Sequence, residues 1–214
     1  MNDQKPCWQA VFFDFDGVIA ASLAVKIRAF ATLFAPYGPA VQAAVVRYHR
    51  DNGGMPRHQK LRHCCEVLAG TPVDDRELAR LGQTFADLVR AEVVAAPLIA
   101  GAPETLEQLR RTGIPAFVVS GTPHEEMGQI VVDKGLQPYF AEVHGSPRSK
   151  TEIIGQLLDR YRYEPGHCLF VGDALADLRA ARATGLHFLG IVPEGGASIF
   201  PADVAISSRV CLPR

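Results

Sequence analysis

Four uninterrupted apolar runs constrain this chain more than any other feature: Ala10–Val11–Phe12–Phe13, Ala116–Phe117–Val118–Val119, Cys168–Leu169–Phe170–Val171 and Phe188–Leu189–Gly190–Ile191–Val192. A strand with one face in water alternates apolar and polar residues; a strand covered on both faces does not. Helical patterns separate the runs at Pro103–Arg111, Pro123–Lys134, Lys150–Tyr161 and Leu175–Ala183, with weaker strand candidates at Ala141–His144 and Val204–Ile206. Strand alternating with helix is the pattern of an α/β fold with a doubly wound parallel sheet.

From about Ser22 to Ala96 the alternation stops. The spacing there predicts helices over Leu23–Phe34, Val41–His49, His58–Leu68 and Arg76–Val94, with turns at Pro36–Gly38, Asn52–Pro56 and Gly70–Pro72. Leu78, Leu81, Phe85 and Leu88 share one helical stripe, and Leu61, Cys64, Cys65 and Leu68 another. The expected organisation is a sheet domain from residues 1–21 and 97–214, interrupted by a helical insertion over 22–96. The 214 residues and 48% hydrophobic content suffice for such a core. With 22 basic against 23 acidic residues there is no broad attraction to nucleic acid or to an anionic membrane. An anion must be caught locally. The longest apolar run, Val93–Ala102, is too short to span a bilayer. The five cysteines (Cys7, Cys64, Cys65, Cys168, Cys211) are odd in number and form no CxxC, and the opening Met-Asn-Asp-Gln-Lys-Pro lacks a signal-peptide pattern, so a cytoplasmic protein is expected.

Ligands of open α/β sheets bind beyond the carboxyl ends of the strands. After the first run comes Asp14-Phe15-Asp16-Gly17, which reads either as an ordinary turn or as paired carboxylates for a cation. After the second comes Ser120-Gly121-Thr122-Pro123-His124-Glu125. Thr122 and Glu125 have capping-box spacing around Pro123, and the helix start behind Ser120 is either merely well capped or an anion site. Ser149-Lys150-Thr151-Glu152 is a second capping box, with Lys150 in the first turn, solvated or reaching an anion. Gly172-Asp173-Ala174-Leu175-Ala176-Asp177 follows the third run, with Asp173 suited to a helix N-cap and Asp177 one turn beyond. Singly, each has a purely structural explanation. Together they gather carboxylates, a lysine, a hydroxyl and a helix start at one sheet edge.

In that order, these motifs resemble the haloacid-dehalogenase superfamily along nearly the whole chain: Asp14-x-Asp16-Gly17-Val18 is similar to its first motif, Ser120 to the second, Lys150 to the third and Gly172-Asp173-x-x-x-Asp177 to the fourth. The helical insertion resembles the superfamily's small α-helical cap, as in phosphoglycolate phosphatases and β-phosphoglucomutases. Ala21-Ser22 departs from the Asp-Ser of many relatives, and Gly121 from their Asn. The resemblance implies a Mg²⁺-dependent phosphatase acting on a small phosphorylated metabolite. Asp14 would attack phosphorus to form an aspartyl-phosphate, and Asp16 would act as general acid and base. Mg²⁺ would sit among the Asp14 side chain, the Asp16 main-chain carbonyl and Asp173, with Asp177 orienting that shell. Ser120, the amide at Gly121 and Lys150 would hold phosphate oxygens. An acid at Asp16 favours phosphate esters over the substrates of dehalogenases and phosphonate-cleaving relatives.

Substrate choice is expected in the insertion, where Gly53-Gly54-Met55-Pro56-Arg57-His58-Gln59-Lys60 leads into a basic helix start. Arg57 and Lys60 are candidates for holding a second anionic group, and phosphoglycolate is the first substrate expectation. A phosphosugar mutase shares the cap class and the motifs. A phosphate-receiving regulatory domain also uses clustered acids and a lysine, but the large insertion and Asp16 argue against it.

Overall fold

A computed structural model describes residues 8–213; the opening segment with Cys7 and the final Arg214 lie outside the described residues. Six parallel strands form one sheet in the order β3-β2-β1-β4-β5-β6, with β1 Ala10–Phe13, β2 Ala116–Pro123, β3 Glu142–Ser146, β4 Cys168–Gly172, β5 His187–Ile191 and β6 Ile206–Ser207. The apolar runs supply the central strands. The first lies between the second and third, with Val11 opposite both Ala116 and Leu169.

Because side chains alternate along a strand, each run divides between two layers. Val11, Phe13, Val118, Leu169 and Val171 face one side, against helices α5 (Ala102–Thr112) and α6 (His124–Asp133). Ala10, Phe12, Phe117, Val119 and Phe170 face the other, against α7 (Lys150–Tyr161) and α8 (Leu175–Thr184). Phe12 and Phe117 are fully buried and stack at 5.1 Å across neighbouring strands.

Between β1 and α5 the chain builds only helices and turns: α1 Leu23–Phe34, α2 Pro39–Asp51, α3 Arg57–His63 and α4 Asp75–Ala95. Their apolar faces, with Phe30, Phe34, Leu61 and Phe85 buried, continue the first layer of the sheet core. Two details depart from the periodicity. The expected helix His58–Leu68 is α-helical only to His63, then rewinds as a π turn over Cys64–Leu68, where Ala69 N–H donates to Cys64 O at 2.9 Å. This wider turn lets the consecutive Cys64 and Cys65 both bury. On α4, Leu88 is 39% exposed and Val89 is fully buried, so the stripe runs Leu78, Leu81, Phe85, Val89, Val93.

Phe117→Ala removes an aromatic ring from the centre of the second layer. It should lower the unfolding free energy by about 3–5 kcal/mol. Urea titration should show the loss as a lower midpoint at an unchanged slope.

Candidate active site

The carboxyl ends of β1, β2 and β4 meet at one edge. Asp14 follows β1 and still belongs to its ladder, because its N–H donates to Val171 O at 2.9 Å. The chain then folds tightly over Phe15–Ala20, with Gly17 N–H on Ala20 O at 2.8 Å and Gly17 at φ +82°. A side chain at Gly17 would run into the Asp173 carboxylate, so glycine serves both the turn and the close approach.

This turn separates the two acids of the first motif. Asp14 faces Lys150, Asp173 and Asp177, whereas Asp16 faces the opening of α1. Ser22 Oγ–H donates to Asp16 Oδ1 at 2.6 Å, and the Lys26 ammonium sits on Asp16 Oδ2. Lys26 also donates to Thr122 Oγ1 at 2.7 Å. Burial pushes the Asp16 carboxyl up, but Lys26 and Ser22 outweigh it and hold the group below its ordinary range.

The capping box expected at Thr122 and Glu125 does not form. Thr122 lies in β2, α6 begins at His124 behind Pro123, and no side-chain cap bond is made. The Thr122 hydroxyl is committed to Lys26 instead, and its N–H donates to Ser120 Oγ at 3.1 Å. The capping box at Ser149 and Glu152 does form and starts α7. It places buried Lys150 2.6 Å from Asp177 Oδ1 and 3.0 Å from Asp14 Oδ1. Asp173 is not the N-cap of α8; Ala174 is. Asp177 reaches back to accept the N–H groups of Asp173 and Ala174 at 3.2 and 3.0 Å. With Lys150 on its other oxygen, Asp177 is fixed from both sides.

Asp14, Asp173 and Asp177 offer carboxylate oxygens within 4.8 Å of one another. Burial, then the neighbouring carboxylates, raise Asp14 to about 6 against the pull of Lys150. Burial raises Asp173 too, reinforced by Asp14 and Asp177. Asp14 Oδ1 is buried without a hydrogen bond: Lys150 is close enough for an ion pair but lies off a hydrogen-bonding line. Excess negative charge, hard oxygen donors and an unsatisfied buried oxygen fit a small divalent cation. The Asp16 carboxylate is not in this cluster, so only its main-chain carbonyl remains for the role expected of it.

A cavity of about 230 Å³ opens above these groups, lined on the sheet side by Asp14, Asp16, Ser120, Gly121 and Asp173 and on the helical side by Lys26, His49, Arg57 and Lys60. The loop before α3 presses onto the sheet edge here. A Cβ at Gly121 would lie 2.8 Å from Gly54 O and 3.1 Å from Met55 O. Of the two cap residues expected to face an anion, Lys60 is buried with its Nζ 3.2 Å from His49 Nδ1. Arg57 instead makes a two-pronged ion pair with Glu126 of α6, at 2.7 and 2.6 Å, with its guanidinium 4.5 Å above the Phe85 ring. Sequence reasoning missed Ser22, Lys26 and Thr122. Only the folding of α1 over the first motif brings them to Asp16.

A parallel sheet that gathers clustered acids and a buried lysine at its carboxyl edge, beneath a layer of helices, defines a capped α/β enzyme. The family model of haloacid dehalogenase-like hydrolases matches residues 8–185, and the chain belongs to that family. It is 28% identical over 183 residues to a phosphoglycolate phosphatase of Synechococcus elongatus, covering 83% of this chain and 81% of the relative. It is 23% identical over 194 residues to a 2-hydroxy-3-keto-5-methylthiopentenyl-1-phosphate phosphatase of Microcystis aeruginosa, covering 83% and 82%. Among solved structures, CbbY from Rhodobacter sphaeroides in complex with phosphate superposes with a TM-score of 0.76 at 18% identity, over 94% of each chain. A predicted phosphoglycolate phosphatase from Haemophilus somnus gives 0.72 at 20%, over 94% and 95%. The relatives matched by sequence are phosphatases, and Mg²⁺ dependence with an aspartyl-phosphate is typical of the family. Among the described residues no helix is long and apolar enough to cross a membrane.

Gly121→Ala should push the 53–55 loop off the sheet edge, since the atoms it meets are backbone and cannot swing aside. Turnover should fall on the order of tenfold to hundredfold, the size expected for a misplaced wall of a reacting site. The thermal midpoint should change little, which separates this effect from unfolding.

Proposed function

We propose that this chain is a Mg²⁺-dependent phosphatase that hydrolyses a small phosphomonoester through an aspartyl-phosphate on Asp14. The observation that carries the reading is Asp14 itself: a buried carboxylate whose Oδ1 makes no hydrogen bond, ion-paired to Lys150 and clustered with Asp173 at the floor of the cavity. Its carboxylate attacks phosphorus in line with the leaving oxygen. Ser120, the Gly121 amide and Lys150 hold the non-bridging oxygens, and Lys150 offsets the charge of the clustered acids. Asp14, the Asp16 carbonyl and Asp173 hold Mg²⁺, with Asp177 fixing Asp173 and Lys150 from behind. The ion, when bound, neutralises charge on the phosphoryl oxygens. Asp16, ionised in the free site, takes up a proton as the substrate binds, passes it to the leaving oxygen and then deprotonates the water that releases phosphate.

We read residues 22–96 as the cap and 1–21 with 97–214 as the catalytic core, so the leaving group lies against the cap. The cavity, about 230 Å³, is smaller than the ~300–1,000 Å³ of sites for drug-sized ligands. That size suits a small metabolite. Lys60 has no carboxylate within ion-pair reach among the described residues; its recorded partner is the His49 ring. Burial, then Lys60 and Lys26, hold His49 at about 3, so this partner is uncharged at neutral pH. A buried ammonium facing a neutral ring invites an anionic group on the leaving side. Together with the relatives' names this makes phosphoglycolate the first substrate to test.

Asp14→Asn should abolish hydrolysis of p-nitrophenyl phosphate while circular dichroism stays native, a rise on the order of 5 kcal/mol or more in barrier. EDTA should stop the wild type and Mg²⁺ restore it, with Ca²⁺ a poor substitute because its looser shell misplaces the nucleophile. Near-native turnover in Asp14→Asn, or full activity in metal-free protein, would refute the assignment.

Lys60→Ala should lower kcat/KM for phosphoglycolate about tenfold or more and leave p-nitrophenyl phosphate nearly unchanged. Burial and Lys26 bring Lys60 down to about 8, opposed by Asp14, Asp16 and Asp173. Its charged form is therefore lost as pH rises through that value. In the wild type, phosphoglycolate kcat/KM relative to p-nitrophenyl phosphate should decline there, and in Lys60→Ala it should not. Equal losses on both substrates would assign Lys60 to folding or cap seating.

A further inference from the structure

We infer that Glu126 determines how much negative charge this site accepts on the leaving group: by holding Arg57 it withholds a phosphate-binding cation from the cavity and selects against a second phosphate. The inference rests on the phosphatase reading above and narrows its substrate class. Four cations line the cap side of the cavity: exposed Arg50, and Lys26, Arg57 and Lys60, which are largely withdrawn from solvent. Lys26 is matched by Asp16, and Arg57 by Glu126. Of the three withdrawn from solvent, only Lys60 faces a neutral partner, which is enough for a carboxylate.

Arg57 is the group best shaped for a phosphate, since its planar fork matches two oxygens at once. Here the fork is already filled. Both Glu126 oxygens are engaged, NH1 also donates to Gly82 O at 3.4 Å, and Phe85 covers the guanidinium. The pair is nearly dry, with side-chain exposures of 7% and 15%. Arg57 also forms the wall between the active-site cavity and a cleft of about 650 Å³ behind it, and Glu126 lines only the cleft. The carboxylate thus draws the fork away from the substrate side. Removing the Glu126 charge leaves a buried guanidinium without a counter-ion, a state that a ligand anion relieves. The cap does not depend on this pair alone. Arg90 pairs with Asp133 at 3.0 Å, and Lys134 donates to the carbonyls of Val94 and Ala96 at 2.9 and 2.6 Å, all between α4 and the α6 end.

The test compares the wild type, Glu126→Gln, Glu126→Ala and the double variant Arg57→Gln/Glu126→Gln, as full chains with Mg²⁺. The substrates are p-nitrophenyl phosphate, fructose 1-phosphate and fructose 1,6-bisphosphate. Glu126→Gln and Glu126→Ala should raise the kcat/KM ratio of bisphosphate to p-nitrophenyl phosphate about tenfold or more, and the ratio of bisphosphate to monophosphate likewise. The double variant should return both ratios to the wild-type level, which assigns the gain to Arg57. Unchanged ratios in variants that retain p-nitrophenyl phosphate activity would overturn the inference. A uniform loss on all three substrates would overturn it too, making the pair a cap fastening. A wild type inactive on p-nitrophenyl phosphate with Mg²⁺ would instead refute the underlying phosphatase reading.

Discussion

The site depends on a buried lysine held between two buried carboxylates. Lys150 touches Asp14 and Asp177, the first just past the end of β1 and the second in the first turn of α8. Burial opposes the Lys150 charge, but Asp14 and Asp177 outweigh it and hold the ammonium well above its ordinary range. Such a lysine is a poor choice for the first turn of a helix, where the dipole repels it. The Ser149–Glu152 capping box places an acid in that same turn and offsets the conflict. With Asp173 added, the cluster still carries more negative than positive charge. Desolvated like charges are unfavourable, so the cluster is suited to a cation.

A second ion pair connects this centre to the helical layer. Lys26 comes from the first turns of α1, yet its contacts are Asp16 in the β1 loop and Thr122 in β2. The start of the insertion, the proposed acid and base, and the carboxyl end of β2 are thereby joined through one ammonium. The two acids of the first motif consequently differ in kind. Asp14 is drawn toward its protonated form by burial and neighbouring carboxylates, whereas Asp16 is held ionised by Lys26 and Ser22. Two carboxylates two positions apart acquire different environments because Asp14 stays on the β1 ladder while the turn that starts at Phe15 carries Asp16 toward α1.

The sheet was legible because its signal is collective. Four unbroken apolar runs admit few alternatives, and they became β1, β2, β4 and β5. Motif residues at the strand ends were legible for the same reason, since topology alone carries Asp14, Ser120 and Asp173 to one edge. Side-chain competition was not legible. Thr122 and Glu125 have the spacing of a capping box, but a lysine far away in sequence takes the hydroxyl. For Arg57 the basic neighbours are visible in the sequence, but its pairing with Glu126, on a different helix, is not. Leu88 and Val89 exchanged places because a small drift in helical phase over α4 decides which of two adjacent apolar residues is buried.

These failures share a cause that bears on function. The polar residues of the sheet edge answer to backbone geometry, which the sequence pattern encodes. The cations of the cap answer to whichever carboxylate the other half of the molecule presents. Lys26, Arg57 and Lys60 arrive from one helical layer with similar chemistry, and the core assigns them different work: Asp16 occupies the first, Glu126 the second, and no carboxylate the third. Family membership fixes the floor of such a site but not this allocation. Specificity is a difference between what a cavity attracts and what it has already neutralised. In this chain the buried share of that difference is the positive charge of Lys60, which lines the cavity on the cap side.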